Sequence, residues 1–146
     1  MRALIQRVSS AHVTVDDQIT GEIQVGLLIF LGVSKNDTAA DASYLANKIV
    51  NLRLFSDIDG KMNHSLLDVN GQALVVSQFT LYGDCRKGRR PGFDLAAPPE
   101  MARALYEQLI QEINAFGIEV ATGIFQADMK VHLVNDGPVT LICESK

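Results

Sequence analysis

Between Ala11 and Val15 apolar and polar residues alternate, which puts Ala11, Val13 and Val15 on one face of a strand and His12 and Thr14 on the other. Asp16-Asp17 then reads as a turn, and a second strand is predicted from Ile19 to Val25. The next run, Leu27-Leu28-Ile29-Phe30-Leu31-Gly32-Val33, shows no alternation. A strand that is apolar on both faces is covered on both, so this run is predicted to lie centrally in its sheet.

The period changes after Val33. Ala42, Leu45, Ala46, Ile49 and Leu52 fall on one helical stripe, with Asp37 or Thr38 available as the N-terminal cap and Asp41 in the first turn. Phe55 to Asn70 is rich in turn signals (Asp57, Asp59-Gly60, Asn70-Gly71) and reads as loop. Ala73 to Leu81 is a second buried strand. Pro98-Pro99 opens a second helix whose apolar face is Ala102, Leu105, Leu109 and Ile113, and Gly117 stops it. Two closing strands, Lys130–Asn135 and Val139–Cys143, are joined by Asp136-Gly137-Pro138 as a tight turn. Strands outnumber helices and short turns join most of them. The expected class is α+β: a mainly antiparallel sheet or barrel flanked by two helices, in one domain over residues 1–146.

Composition narrows the functional classes. The chain has 146 residues, 47% hydrophobic and 21% charged, with no low-complexity stretch and no internal repeat, so a folded core is expected. A protein that coats nucleic acid indiscriminately is usually basic overall, and the net charge of −4 argues against one. Any such binding must come from a local patch, and Arg86-Lys87-Gly88-Arg89-Arg90 is the obvious one. Arg7 interrupts the first apolar run before a signal-peptide core can form, and no apolar stretch approaches the ~20 residues of a membrane span. Cys85 and Cys143 have no paired spacing and read as free thiols of a reducing compartment, with the cytoplasm as the expected location.

The chemistry is first narrowed by absences. There is no GxSxG, HExxH, Walker or GxGxxG motif. His12, His64 and His132 all read as solvent-facing, which disfavours a Ser-His-Asp triad, and no His, Cys or Asp cluster has metal-ligand spacing. Neither a metal nor a cofactor is expected. Three features remain. Ser77, Gln78 and Thr80 interrupt an apolar strand, and polar groups placed there need partners. Asn135-Asp136-Gly137-Pro138-Val139-Thr140 sets a turn between apolar segments. Arg7 shares its strand face with Ala3 and Ile5, and such an arginine calls for a fixed acceptor. Each has a bland alternative: a water-facing threonine, an ordinary hairpin turn, and an arginine reaching out to solvent.

Taken together the segments carry a resemblance. Ser77-Gln78-Phe79-Thr80-Leu81 matches the SQxxL motif of the D-aminoacyl-tRNA deacylases, and Asn135 to Thr140 matches their NxGPxT motif. Gly123 to Met129 resembles their GxFxAxM segment. Gln6-Arg7-Val8, Phe55-Ser56-Asp57 and Gly60-Lys61-Met62 also fit, so the resemblance spans the chain. Gly92 departs from it, standing where a serine is common.

The resemblance implies hydrolysis of the ester at the 3′ end of aminoacyl-tRNA, with rejection of L-aminoacyl-tRNA, by a homodimer whose active sites lie at the interface. It implies catalytic roles for Ser77, Gln78, Phe79 and Thr80. Backbone N–H groups near the first three would stabilise the oxyanion, while Thr80 is a possible nucleophile in rivalry with the substrate's own terminal 2′-OH. Gly137, Pro138, Arg7, Phe125 and Met129 would bind the aminoacyl group, with the Gly137–Pro138 bond cis, the turn reaching into the partner's site and Arg7 of the partner bracing it. Main-chain reading of chirality would also admit glycyl-tRNA. Arg86, Lys87, Arg89 and Arg90 would contact tRNA phosphates. Two other functions stay open at this point: a non-catalytic RNA-binding module on the same barrel, and a hydrolase of another small ester or amide.

Overall fold

One long strand organises the chain. In the computed structural model, which describes residues 1–145, β1 (Arg2–Val15) pairs antiparallel with three other strands. Its first half lies beside β3 (Gly26–Gly32), its second half beside β2 (Gln18–Ile23), and β8 (Lys130–Glu144) runs along nearly its whole length. Asp16 and Asp17, at φ 49° and 60°, make the turn from β1 to β2, the left-handed pair that a two-residue hairpin favours.

From β3 the chain crosses through α1 (Ala39–Asn51) and a small hairpin, β4 (Phe55–Ser56) with β5 (Met62–His64), before re-entering the sheet as β6 (Gln72–Ser77). From β6 it crosses again through α2 (Pro99–Ala115) to β7 (Val120–Thr122). β6 is therefore parallel to β3 and β7 parallel to β6. The sheet is mixed, which corrects the mainly antiparallel arrangement expected from the sequence. A helix between two strands of one sheet forms a crossover, and a crossover delivers the second strand parallel to the first. At the far edge β2 meets β7 so closely that a side chain at Gly21 would run into the Thr122 backbone, and the sheet nearly closes into a barrel. The α+β class stands.

The apolar pattern explains the layers. Ala3, Ile5, Leu27, Ile29, Leu31, Ala73 and Val75 face the helices and pack against Leu45, Ile49, Leu109 and Ile113. The alternate residues Val8, Leu28, Leu74 and Val76 face the barrel interior, together with Ala11, Val13 and Ile23. β3 and β6 are thus covered on both sides, as the unbroken run in β3 predicts. Asp41 completes the start of α1 by accepting the Thr38 N–H at 2.9 Å and the Thr38 hydroxyl at 2.8 Å. Gly117, at φ 84°, lies just beyond the end of α2. Among the described residues no helix is long and apolar enough to cross a membrane.

Two further expectations are corrected, and both corrections bear on the site. The strand predicted over Ala73–Leu81 ends at Ser77, where the Gln78 N–H closes the ladder on the Leu31 carbonyl at 2.8 Å, and Phe79–Tyr82 winds into a 3-10 turn. The two closing strands are one strand, β8, with both halves running the same way along β1. Its register jumps from Gln6↔Thr140 to Val8↔Asn135, so Asp136–Val139 bulges out opposite Arg7 instead of reversing the chain.

Candidate active site

The end of β6 opens into a cleft of about 920 Å³. Ser77, Gln78 and Phe79 form one wall, the segment from Phe93 to Pro99 leading into α2 a second, and Phe125 to Met129 a third. Five of the residues singled out from the sequence therefore meet here: Ser77, Gln78, Phe79, Phe125 and Met129. The lining is mostly apolar, with a few polar groups at the head of the 3-10 turn, which is how a small-ligand site is usually built.

The chemistry of that head follows from the backbone. The Gln78 N–H is taken by Leu31, which removes it from the oxyanion donors anticipated from the sequence. The next two amides, Phe79 and Thr80, begin the 3-10 turn and carry no hydrogen bond among the described residues. The leading N–H groups of a helical turn have no partner inside it, so these two remain free to donate. The Phe79 ring is 54% exposed and meets Phe93 edge-on at 5.0 Å, which gives the mouth an aromatic rim.

Thr80 stands outside the cleft wall. Its hydroxyl accepts from the Gln78 side-chain amide, and no histidine, lysine or carboxylate bonds to it among the described residues. An amide is not a base, whichever way its oxygen and nitrogen are assigned. A threonine without a base nearby is a poor nucleophile.

Behind the cleft, Tyr106 donates to the Val75 carbonyl at 3.0 Å, and burial pushes its phenol up to about 12, so it stays a neutral donor. Phe125 packs at 5.8 Å from Tyr106 and carries the Arg103 guanidinium 4.6 Å above its ring. Phe93 and Arg103 escaped the sequence reading. Phe93 sits in an irregular loop with no periodicity, and Arg103 is an ordinary polar-face residue of α2 until the fold brings Phe125 beneath it.

Arg7, Gly137 and Pro138 form a separate group and do not line this cleft. Arg7 donates through Nη1 to the Leu54 carbonyl at 2.6 Å and through Nε to the Asp136 carbonyl at 3.1 Å. The fixed acceptors expected for it are found in its own chain, so Arg7 braces the bulge from within the subunit. Asn135 fastens the other side, donating to the carbonyls of Arg7 at 3.0 Å and Val139 at 2.9 Å, while Thr140 donates to the Asn135 side chain at 3.2 Å. The Gly137–Pro138 bond is cis. Gly137 has φ 122°, which strains any side chain there, and a Cβ would lie 2.5 Å from Arg7 Nη2, so a substitution would also have to displace the guanidinium.

The basic segment forms an exposed loop pinned at its base by the Asp84–Gly92 bridge. Its first arginine is already engaged. Asp84 accepts from the Arg86 Nε at 2.8 Å and Nη2 at 2.7 Å, and these hydrogen bonds hold the Asp84 carboxyl down at about 2. Lys87, Arg89 and Arg90 form no ion pair among the described residues.

Residues 4–144 match the family model described as D-Tyr-tRNA(Tyr) deacylase. A protein of Fervidobacterium nodosum named D-aminoacyl-tRNA deacylase is 58% identical over 146 residues, covering 100% of this chain and 98% of that protein. One of the same name from Desulfotalea psychrophila is also 58% identical over 146 residues, with the same coverage. Among solved structures, the c-Myc DNA Unwinding Element Binding Protein superposes with a TM-score of 0.93 at 39% identity, covering 100% of this chain and 99% of that one. A structure titled as a probable eukaryotic D-amino acid tRNA deacylase shares the fold at a TM-score of 0.87 and 16% identity, covering 98% of each chain.

Proposed function

The chain belongs to the D-Tyr-tRNA(Tyr) deacylase family, and from that premise we propose that its cleft hydrolyses the ester bond of D-aminoacyl-tRNA, releasing the free D-amino acid and tRNA. The observation that carries this reading is the pair of free N–H groups, Phe79 and Thr80, at the polar head of an apolar cleft. An aminoacyl ester is already activated. Placing a water and holding the developing oxyanion is enough to cleave it, and preorganised backbone donors do that without a strong nucleophile. Water adds to the carbonyl carbon, the bond to the ribose 3′ oxygen breaks, and the proton from water passes to that oxygen. With no base beside Thr80, the substrate's neighbouring 2′-OH is the group best placed to relay it.

The decisive assay is deacylation of matched D- and L-tyrosyl-tRNA. Loss of the D ester well above the buffer rate, with the L ester spared, is the expected result. Equal rates, or no loss beyond buffer, would remove the reading. The second outcome would favour a non-catalytic nucleic-acid-binding module, as the name of the c-Myc DNA Unwinding Element Binding Protein suggests for that relative.

The substrate side is read by a second copy of the chain. On the first half of β1, Leu4 lies on the face opposite Ala3 and Ile5, and is paired with Phe30 on one side and Ile142 on the other. Ile142 is 59% exposed, so this row offers an apolar face for a homodimer, with Asp136–Pro138 of one copy presented to the cleft of the other. A site that reads the α-carbon through main-chain atoms is indifferent to the side chain and also accepts glycyl-tRNA. Sedimentation is expected to give twice the chain mass. A monomer with full activity would contradict the shared site.

The acceptor stem docks on the basic loop through Lys87, Arg89 and Arg90, with Arg86 held back by Asp84. Phosphate contacts release counterions, so replacing Arg89 and Arg90 with alanine should lower the log–log salt slope of tRNA binding by about 1.5. An unchanged slope would make this an ordinary solvated loop.

A further inference from the structure

We propose that His12 and His132, with Glu22 beside them, form a binding site for a divalent transition-metal ion of the Zn²⁺ or Ni²⁺ type on the outer wall of the barrel. The three residues occupy one row across three strands: His12 of β1 is paired with Glu22 of β2 on one side and with His132 of β8 on the other. Directly paired residues point to the same face of a sheet, and here it is the outward face, because the flanking Ala11 and Val13 are buried inside the barrel.

The two imidazoles are stacked at 4.4 Å with an interplanar angle of 11°. They border a small groove of about 140 Å³ with Ser10 and Val134. Neither ring is tied by a hydrogen bond among the described residues, so neither tautomer is fixed and each neutral ring keeps an unshared nitrogen lone pair. The rings are stacked face to face on directly paired residues, so one ion at their outward edges can be reached by a nitrogen of each. A tetrahedral ion with bonds of about 2.0–2.1 Å needs ligand nitrogens about 3.3 Å apart, within reach of a modest tilt of two surface rings.

Glu22 is exposed and supplies the third ligand by rotation of its side chain. No three such groups converge on one point in the present rotamers among the described residues. The other charged groups facing the row are accounted for, since Lys130 is turned to Asp17 at 3.5 Å. Water completes the coordination, as expected of an exposed site with two imidazoles and one carboxylate. An ion held there ties β2, β1 and β8 together just before the Asp136–Val139 bulge. Because the row exists only in the folded chain, binding raises thermal stability.

The test is titration of the full-length protein with NiCl2, and separately ZnCl2, in metal-free buffer, followed by calorimetry and by the melting temperature. One equivalent of ion per chain is expected, with a melting temperature that rises with ion concentration. His132→Ser and His12→Ser should each weaken binding at least tenfold and abolish the rise, Glu22→Gln should weaken it several-fold, and His64→Ser should leave it unchanged. His132 is exposed, so His132→Asn keeps the test sound if His12→Ser folds poorly. Absence of binding by the parent protein at millimolar ion, or affinity unchanged in His132→Ser and His132→Asn, or binding lost in His64→Ser or Cys85→Ser, would overturn the site. Deacylation is not part of the readout, so the result stands apart from the reading of the cleft.

Discussion

A D-aminoacyl-tRNA ending in 2′-deoxyadenosine should be cleaved at least ~10²-fold more slowly than the ribose substrate, whereas Thr80→Ala should stay within about tenfold of the parent enzyme. The asymmetry follows from where the groups lie. The Thr80 hydroxyl is outside the cleft lining and its partner is the Gln78 amide, so its loss removes neither a base nor an oxyanion donor. The backbone N–H of residue 80 survives the change to alanine. The 2′-OH adjoins the scissile ester, and a positioned proton relay contributes on the order of 10²–10⁴ in rate. Gln78→Ala should cost more than Thr80→Ala, because Gln78 lines the cleft itself. Single-turnover rates on the matched pair of substrates separate the mechanisms. A dead Thr80→Ala enzyme that accepts the deoxy substrate at the normal rate would hand the reaction to the threonine.

The site of this chemistry is legible in the sequence, but the backbone groups that perform it are not. Ser77, Gln78 and Thr80 stand out because polar residues break an apolar run, a signal that survives without coordinates. Which amides are free does not survive. It depends on β6 ending at Ser77, and that depends on the Gln78 N–H finding Leu31 across a parallel ladder. The parallel pairing was hidden in the same way. Both crossover helices were visible as stripes, but the loop signals between Phe55 and Asn70 obscured the fact that the chain returns to the same sheet. The bulge shows a different limit. Asn-Asp-Gly-Pro satisfies a hairpin and a bulge equally well, and only the pairing of Gln6 with Thr140 and Val8 with Asn135 decides between them. Arg7 was legible as an arginine in need of an acceptor, but the acceptors are two carbonyls, at Leu54 and Asp136, that no pattern could name.

Arg7→Ala should erode the preference for D over L substrates by about 10- to 100-fold in kcat/KM, a loss of about 1.4–2.7 kcal/mol of discrimination, while D-ester hydrolysis falls less. The guanidinium joins two points of one chain: the Leu54 carbonyl, fixed in the core, and the Asp136 carbonyl, the start of the bulge. Removing it leaves a part-buried carbonyl unpaired, at about 1–3 kcal/mol, and frees the bulge from the core. Asn135 still holds the bulge base to Arg7 and Val139 through main-chain carbonyls, and those bonds do not need the Arg7 side chain. The loop therefore loosens without unfolding. If the bulge of one copy reads the α-carbon in the cleft of the other, a looser bulge first admits the wrong hand and only later loses the right one. Arg7→Lys should not restore selectivity, since one ammonium cannot span the two carbonyls that the planar fork reaches. Gly137→Ala should be harsher and reduce D-ester hydrolysis itself by ~10² or more. Its φ of 122° is poorly suited to alanine, and the new methyl would collide with Arg7 Nη2 at 2.5 Å, shifting the bulge as a whole. The three variants, assayed on matched D- and L-tyrosyl-tRNA with melting curves beside them, give an ordered series. An Arg7→Ala enzyme that folds normally and rejects the L substrate as strictly as its parent would show that the bulge takes no part in reading chirality.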